Sequence, residues 1–299
     1  MRILFNILLV FISVHFSMAQ LTEMTSEQLS KSKVMSITIM GYALDEYGAP
    51  SKVGSKKEYS KYNLKGMQTK KVKYDARSGV VSNSTFLFKN GVKYKTLVKD
   101  KMDQVLLMKT CDVGRKGEYK SCSGKKAGEE FSYAYSYDKS GNLIGKVKKK
   151  ESGEVIHSFK YEYDANRNLV KESYQGKKKV VTNWTYNTEG LKVKESVQMN
   201  DALSHEVTYA YDKNGDLIQE VKYNSQDQVV QQLRYAYLEK GRISTIKKFN
   251  RANQLKKTWK YSYNDKWNLD TIKIYEGAKE TPLYMSQYLY KYHKAPVKK

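Results

Sequence analysis

From residue 133 onward the chain alternates aromatic and polar positions with a period of two. Phe159, Tyr161 and Tyr163 bracket Lys160 and Glu162, and Val207, Tyr209 and Tyr211 bracket Thr208 and Ala210. Leu233, Tyr235, Tyr237 and then Trp259, Tyr261, Tyr263 repeat the pattern around Arg234, Ala236, Lys260 and Ser262. Side chains two apart on a strand share a face, so each segment predicts an antiparallel strand with one aromatic and one solvated side. Turn chemistry follows at once. Asp138, Asp164, Asn187, Asp212 and Asn264 come directly after Tyr137, Tyr163, Tyr186, Tyr211 and Tyr263. Gly141, Gly190 and Gly215 stand three residues further on, and Gly241 closes the same segment after Tyr237. An Asp or Asn side chain accepts hydrogen bonds from the turn backbone, and glycine takes the positive φ that reverses the chain. Arg167 and Trp267 occupy the glycine position in two copies, so those turns differ or carry strain.

These units form a repeat. Its second tyrosines fall at 137, 163, 186, 211, 237, 263 and 292, at steps of 23 to 29 residues. Polar clusters at 151–154, 224–227 and 250–253 supply the alternate turns, so each unit of about 25 residues is two strands and two turns. The predicted fold is all-β: an antiparallel meander of tandem β-hairpin repeats forming a long twisted or spiralling sheet. Residues 131–293 carry the clear repeats. Residues 34–130 read as the same architecture made irregular by longer loops, with an Asn90-Gly91 hairpin signal and a lysine-rich stretch at 51–73. Residues 20–33 read as a flexible or short helical lead-in, and 294–299 as a basic tail.

The first nineteen residues alter the address. Met1 and Arg2 precede an apolar run to Val14, and Ser17 and Ala19 put small residues before Gln20. That order predicts a secretory signal peptide over 1–19, with a buried N-terminal element as the plain alternative. No later apolar run is long enough to span a bilayer as a helix. Export makes the pair Cys111 and Cys122 a candidate disulfide across the loop-like stretch 112–121, against two free thiols.

The Tyr-x-Tyr-Asp-x-x-Gly-Asn-Leu-Ile unit, seen in full at 135–144 and with Asp216 for Asn at 209–218, resembles the YD-repeat (RHS-repeat) family of bacterial exported and surface proteins. The resemblance covers 133–292. It implies hairpins stacked into a long spiralling sheet, and a task in carbohydrate binding or cell-surface interaction. The largest relatives curl the sheet into a shell around a C-terminal toxin; with few repeats and only 294–299 after them, this chain is expected to carry no such cargo.

Export plus alternating strands is also the signature of an outer-membrane barrel. Lys257 in line with Leu255 and Trp259, short turns at both ends of the strands, and a lysine terminus argue against it, so the chain is read as not membrane-spanning.

Composition adds a net charge of +23, from 54 Lys+Arg against 31 Asp+Glu. Lys146, Lys148, Lys149 and Lys150, with Lys177, Lys178 and Lys179, are the candidate polyanion-binding residues; the alternative is a solvated face that guards sheet edges. The tyrosine ladder reads either as the core or as a platform for sugar rings. No catalytic, metal or cofactor constellation is legible: His157, His205 and His293 lack metal spacing, and turn capping accounts for Asp138, Asp164 and Asp212. No motif reads nucleic acid specifically. The expectation is an exported, periplasmic or surface, non-enzymatic protein without cofactor, binding acidic polysaccharide or another polyanion through a basic sheet face. The alternative is an assembly component docking on an envelope protein by strand addition at an open edge.

Overall fold

The computed structural model describes residues 24–293; the signal-peptide stretch 1–19 and the tail 294–299 lie outside the described residues. A short helix α1 (Ser26–Lys31), capped reciprocally by Thr25 and Gln28, leads into the first strand. The strands run β1 (Val34–Ala43), β2 (Ser55–Tyr62), β3 (Gln68–Tyr74), β4 (Val80–Lys89) and β5 (Val92–Asp100). Then come β6 (Val105–Val113), β7 (Tyr119–Lys126), β8 (Glu129–Tyr137), β9 (Leu143–Lys150) and β10 (Val155–Tyr163). Next are β11 (Leu169–Gln175), β12 (Lys179–Tyr186), β13 (Lys192–Met199), β14 (Ala202–Tyr211) and β15 (Leu217–Asn224). Last are β16 (Val229–Leu238), β17 (Arg242–Asn250), β18 (Leu255–Tyr263), β19 (Leu269–Glu276) and β20 (Tyr284–Tyr292).

Every strand pairs antiparallel with its neighbours in sequence, and β1 pairs with β20 from Val34↔Tyr292 to Ala43↔Tyr284. That last pairing overturns the predicted open, spiralling sheet: the twenty strands form a closed barrel. Closure satisfies the ladder groups an end strand would leave bare. It also removes the open edge that strand addition needs. The features that argue against a barrel, Lys257 above all, bear on contact with lipid and not on closure. Among the described residues no helix is long and apolar enough to cross a membrane, which says nothing of a β-barrel.

The hairpin machinery is uniform. Asp138 N–H donates to the Asn142 carbonyl, Gly141 N–H donates to the Asp138 carbonyl, and Asp138 Oδ1 accepts from Asn142 N–H at 2.8 Å. The same bonds recur at Asp164, Asn187, Asp212 and Asn264. Arg167 (φ 66°) and Trp267 (φ 57°) keep this turn and accept the left-handed conformation, so they carry the strain a glycine avoids. Of the turns that follow Tyr137, Tyr163, Tyr186, Tyr211, Tyr237 and Tyr263, the one after Tyr237 differs, passing through a 3-10 turn at Glu239–Gly241.

Each repeat tyrosine also has a specific bond. The hydroxyls of Tyr137, Tyr163, Tyr186, Tyr211, Tyr237 and Tyr263 donate to the carbonyls of Tyr119, Leu143, Leu169, Lys192, Leu217 and Ile243, at 2.7–2.9 Å. The acceptor sits on the preceding strand of the barrel, and the register slips by one residue at each of these tyrosines. The 26-residue step thus places one cross-strand clasp per hairpin.

The register gives the barrel an aromatic face and a polar face. On β8, Phe131 is buried and Tyr133, Tyr135 and Tyr137 are half-buried, whereas Ser132, Ala134 and Ser136 are exposed. Curvature crowds inward side chains and splays outward ones, so the less exposed aromatic face is the inner one along β8–β18. Its packed core gathers Leu233, Tyr235, Ile243, Ile246, Tyr261 and Leu269. Elsewhere the rings of Tyr133, Tyr161, Trp184 and Tyr209 stay half-exposed. Twenty strands about 4.8 Å apart give a girth of roughly 95 Å, more than facing side chains fill. The tyrosine ladder is therefore packed as core at β16–β19 and mostly half-buried elsewhere.

A second cluster surrounds Cys111 and Cys122, which are disulfide-bonded as direct cross-strand partners, with Tyr119, Tyr133 and Tyr135 packed on them. The stretch expected to be a loop is half strand: β6 continues to Val113 and β7 starts at Tyr119, leaving 114–118 as the turn.

Candidate functional site: two cationic surfaces

Alternation splits the lysine run 146–150. Lys146 and Lys148 lie opposite Tyr135 and Tyr133 on the aromatic face, whereas Lys149 lies opposite Ser132 on the polar face. Lys150 begins the next turn and pairs with Glu154 at 2.8 Å. Lys177 and Lys178 belong to the β11–β12 turn, and Lys179 opens β12 and pairs with Asp201. Because alternate turns of a meander share a rim, Lys149, Lys150 and Lys177–Lys179 gather at one end of the barrel. Two of them are already matched by acids.

A different cationic row lies on the polar face. Arg234 on β16 is the direct partner of Lys247 on β17, and Lys260 on β18 is the direct partner of Lys273 on β19. Lys260 is diagonal to Lys247, through the pairings Lys247↔Thr258 and Thr245↔Lys260. Like charges directly opposite one another destabilise a sheet. Among the described residues none of the four makes an ion pair. Two of them, Arg234 and Lys260, are oriented by neutral groups. The Arg234 guanidinium lies 4.3 Å from the Phe249 ring centre and its Nη2 donates to Gln232 and Asn253. Lys260 Nζ lies 4.6 Å from the Tyr275 ring centre. A shallow depression between Arg234, Lys247 and Phe249 sits at one end of the row.

Sequence reading missed this row, although a signal existed. Positions 234, 247, 260 and 273 are spaced by 13 residues, half of the common 26-residue step. One strand plus one turn spans that distance, so a residue type recurring at 13 marks neighbouring strands at similar height.

On the aromatic face, Lys93, Lys109 and Lys146 are held below the ordinary lysine range, chiefly by burial and then by one another's charge in the order Lys71, Lys93, Lys109. Glu172 is buried there, and burial pushes its carboxyl up to about 7 while Lys146 pulls it down. Asp138 and Asp164 are held below the usual carboxylate range, first by the side-chain amides of Asn142 and Asn168. That places their oxygens in turn bonding. Among the described residues no three His, Cys, Asp or Glu side chains are grouped to hold a metal ion.

Charge also reaches mid-strand on both faces. Lys160, Lys194, Lys247 and Lys260 stand on the polar face, and Lys146, Glu172 and Glu195 on the aromatic one. Each lysine at a bilayer midplane costs roughly 2–4 kcal/mol.

No family model matches the sequence, and no curated protein matches it. Among solved structures, a porin-like protein from Bacteroides uniformis is similar at a TM-score of 0.41 and 11% identity, over 86% of this chain and 98% of that one. The Photorhabdus luminescens Tc holotoxin pore, with a TccC3-D651A mutation, is similar at a TM-score of 0.38 and 14% identity, over 79% of this chain and 16% of that one. A porin-like protein from Bacteroides vulgatus has a TM-score of 0.30 and 13% identity, over 88% of this chain and 99% of that one. At these values none assigns a family or a task to the chain, and the YD-repeat resemblance rests on its sequence motif alone.

Proposed function

We propose that this protein is an exported, non-enzymatic binding protein that works in water at the cell envelope or surface and captures acidic polysaccharide on its polar face. The observation that carries this reading is the row Arg234, Lys247, Lys260 and Lys273: four cations on adjacent strands, in repulsive register, without a carboxylate partner among the described residues. A linear chain of carboxylates laid across the strands would neutralise all four at once. Phe249, half-buried beside Arg234, adds apolar surface next to the cations. Charge on both faces at mid-strand supports an aqueous setting, and the N-terminal sequence pattern supports export. The rim lysines, Lys149, Lys150 and Lys177–Lys179, extend the positive field and speed encounter more than they fix the polymer.

Calorimetric titration of the mature chain with polygalacturonate, and with neutral dextran as control, tests this. The expected result is binding of the acidic polymer alone, weakening steadily as salt rises. No binding at low salt, or equal binding of dextran, rejects the reading.

A further inference from the structure

On the other face, three lysine ammonium groups converge on a single ring. The Nζ atoms of Lys109, Lys146 and Lys148 stand 6.0, 4.9 and 5.9 Å from the centre of Tyr133. Lys146 also lies 5.4 Å from Phe159, and Lys148 4.7 Å from Phe131. Two strands deliver them: β6 brings Lys109, and β9 brings the other two, opposite Tyr135 and Tyr133 of β8. Among the described residues none of the three forms an ion pair, although Lys71, Lys125, Lys150 and Lys192 all do.

Ring faces attract each cation, but they do nothing for the repulsion among three cations around one ring. The carboxylate that acts on Lys146 is Glu172, itself buried. Tyr133, Lys109, Lys146 and Lys148 are all half-buried, so the cluster keeps partial access to the barrel interior. A bare cluster of this kind is a site made for a compact, multiply charged anion, which three ammonium groups hold better than one.

We propose that the aromatic face of β6, β8 and β9 holds a binding site for a sugar bearing a compact oxyanion ester, phosphate or sulfate, with Lys109, Lys146 and Lys148 around the anion and Tyr133 beneath it. This site is separate from the polymer surface described above. It lies on the opposite face and shares no residue with it.

Calorimetry with glucose 6-phosphate, glucose 6-sulfate and glucose on the mature chain is the test. At least one ester should bind while glucose does not, and the tighter ester identifies the anion. Lys146→Gln should weaken the ester at least tenfold, Lys146→Arg should largely retain it, and replacing Arg234, Lys247, Lys260 and Lys273 by Gln should leave it unchanged. Saturating ester should raise the melting temperature of the wild type and of Lys146→Arg, but not of Lys146→Gln. Three results would overturn the proposal: neither ester binds, Lys146→Gln binds as well as wild type, or affinity is lost in the polar-face variant instead. Failure of polygalacturonate binding leaves this site standing, and failure of ester binding leaves the polymer surface standing.

Discussion

Two arcs of the polar face handle charge in opposite ways. Across β10–β14 two lysines come with acids: Lys171 pairs with Glu162 at 3.0 Å, and Lys194 with Glu206 at 2.9 Å, each partner on an adjacent strand. Across β16–β19 the polar face carries Arg234, Lys247, Lys260 and Lys273, with no acid between them. Backbone, turns and tyrosine clasps are the same in both arcs: Tyr163 and Tyr237 donate to Leu143 and Leu217 at 2.9 and 2.7 Å. The fold therefore shows how it neutralises a sheet face when stability is the only demand. The arc that departs from that solution is the one assigned to a ligand.

The largest expected effect comes from erasing the difference. Replacing Arg234, Lys247, Lys260 and Lys273 by Gln should lower affinity for polygalacturonate about 30-fold or more, taking roughly 0.5–1 kcal/mol per lost contact. The melting temperature should hold or rise, because the removed contacts are repulsive. A clear fall in stability would assign the row to the fold.

Glu172 extends the comparison to the inner face, as a buried acid whose Oε2 lacks a hydrogen-bond partner among the described residues. Burial holds its carboxyl near pH 7 in the folded protein, above the ordinary glutamate value. The folded state thus keeps a proton that the unfolded chain has released, so stability falls as pH rises through the window from about 4.5 to 7 and is level above it. The effect is on the order of 1–3 kcal/mol. Glu172→Gln should flatten that slope in urea melts at pH 5 and 7; an unchanged slope would place the titration elsewhere.

Tyr163→Phe and Tyr237→Phe test whether the backbone scaffolding is shared. Each removes one hydroxyl-to-carbonyl bond, at about 1 kcal/mol. Equal losses in chemical denaturation are expected, and unequal ones would mean that the arcs differ in more than charge. The smallest effect belongs to Glu162→Gln, which should cost under about 1 kcal/mol and leave polymer binding unaltered in the same titration.

Much of this architecture is written in the chain. Period-two aromatics fix the strands, and the Tyr-Asp pair with glycine fixes the turn, because those determinants lie within a few residues of each other. Closure was not legible, since it depends on Val34–Ala43 meeting Tyr284–Tyr292 across the whole chain and on accumulated curvature. Lys257 bears on contact with lipid and says nothing of whether the sheet closes. The lysine run 146–150 looked like one patch only because neighbours in sequence suggest neighbours in space. On a strand they do not, and the run divides between the ester site, the polar face and a turn. Arg234, Lys247, Lys260 and Lys273 drew no notice for the inverse reason: they are distant in sequence and join only once the register is known.

The most direct test of the account is a paired measurement on two charge-neutralised proteins, one with Arg234, Lys247, Lys260 and Lys273 changed to Gln, the other with Glu162, Lys171, Lys194 and Glu206 changed likewise. Polygalacturonate affinity and unfolding free energy are read for both. The account predicts that the first loses affinity and keeps its stability, while the second keeps its affinity and gives up about 1 kcal/mol of stability. Equal affinities in the two proteins would contradict it.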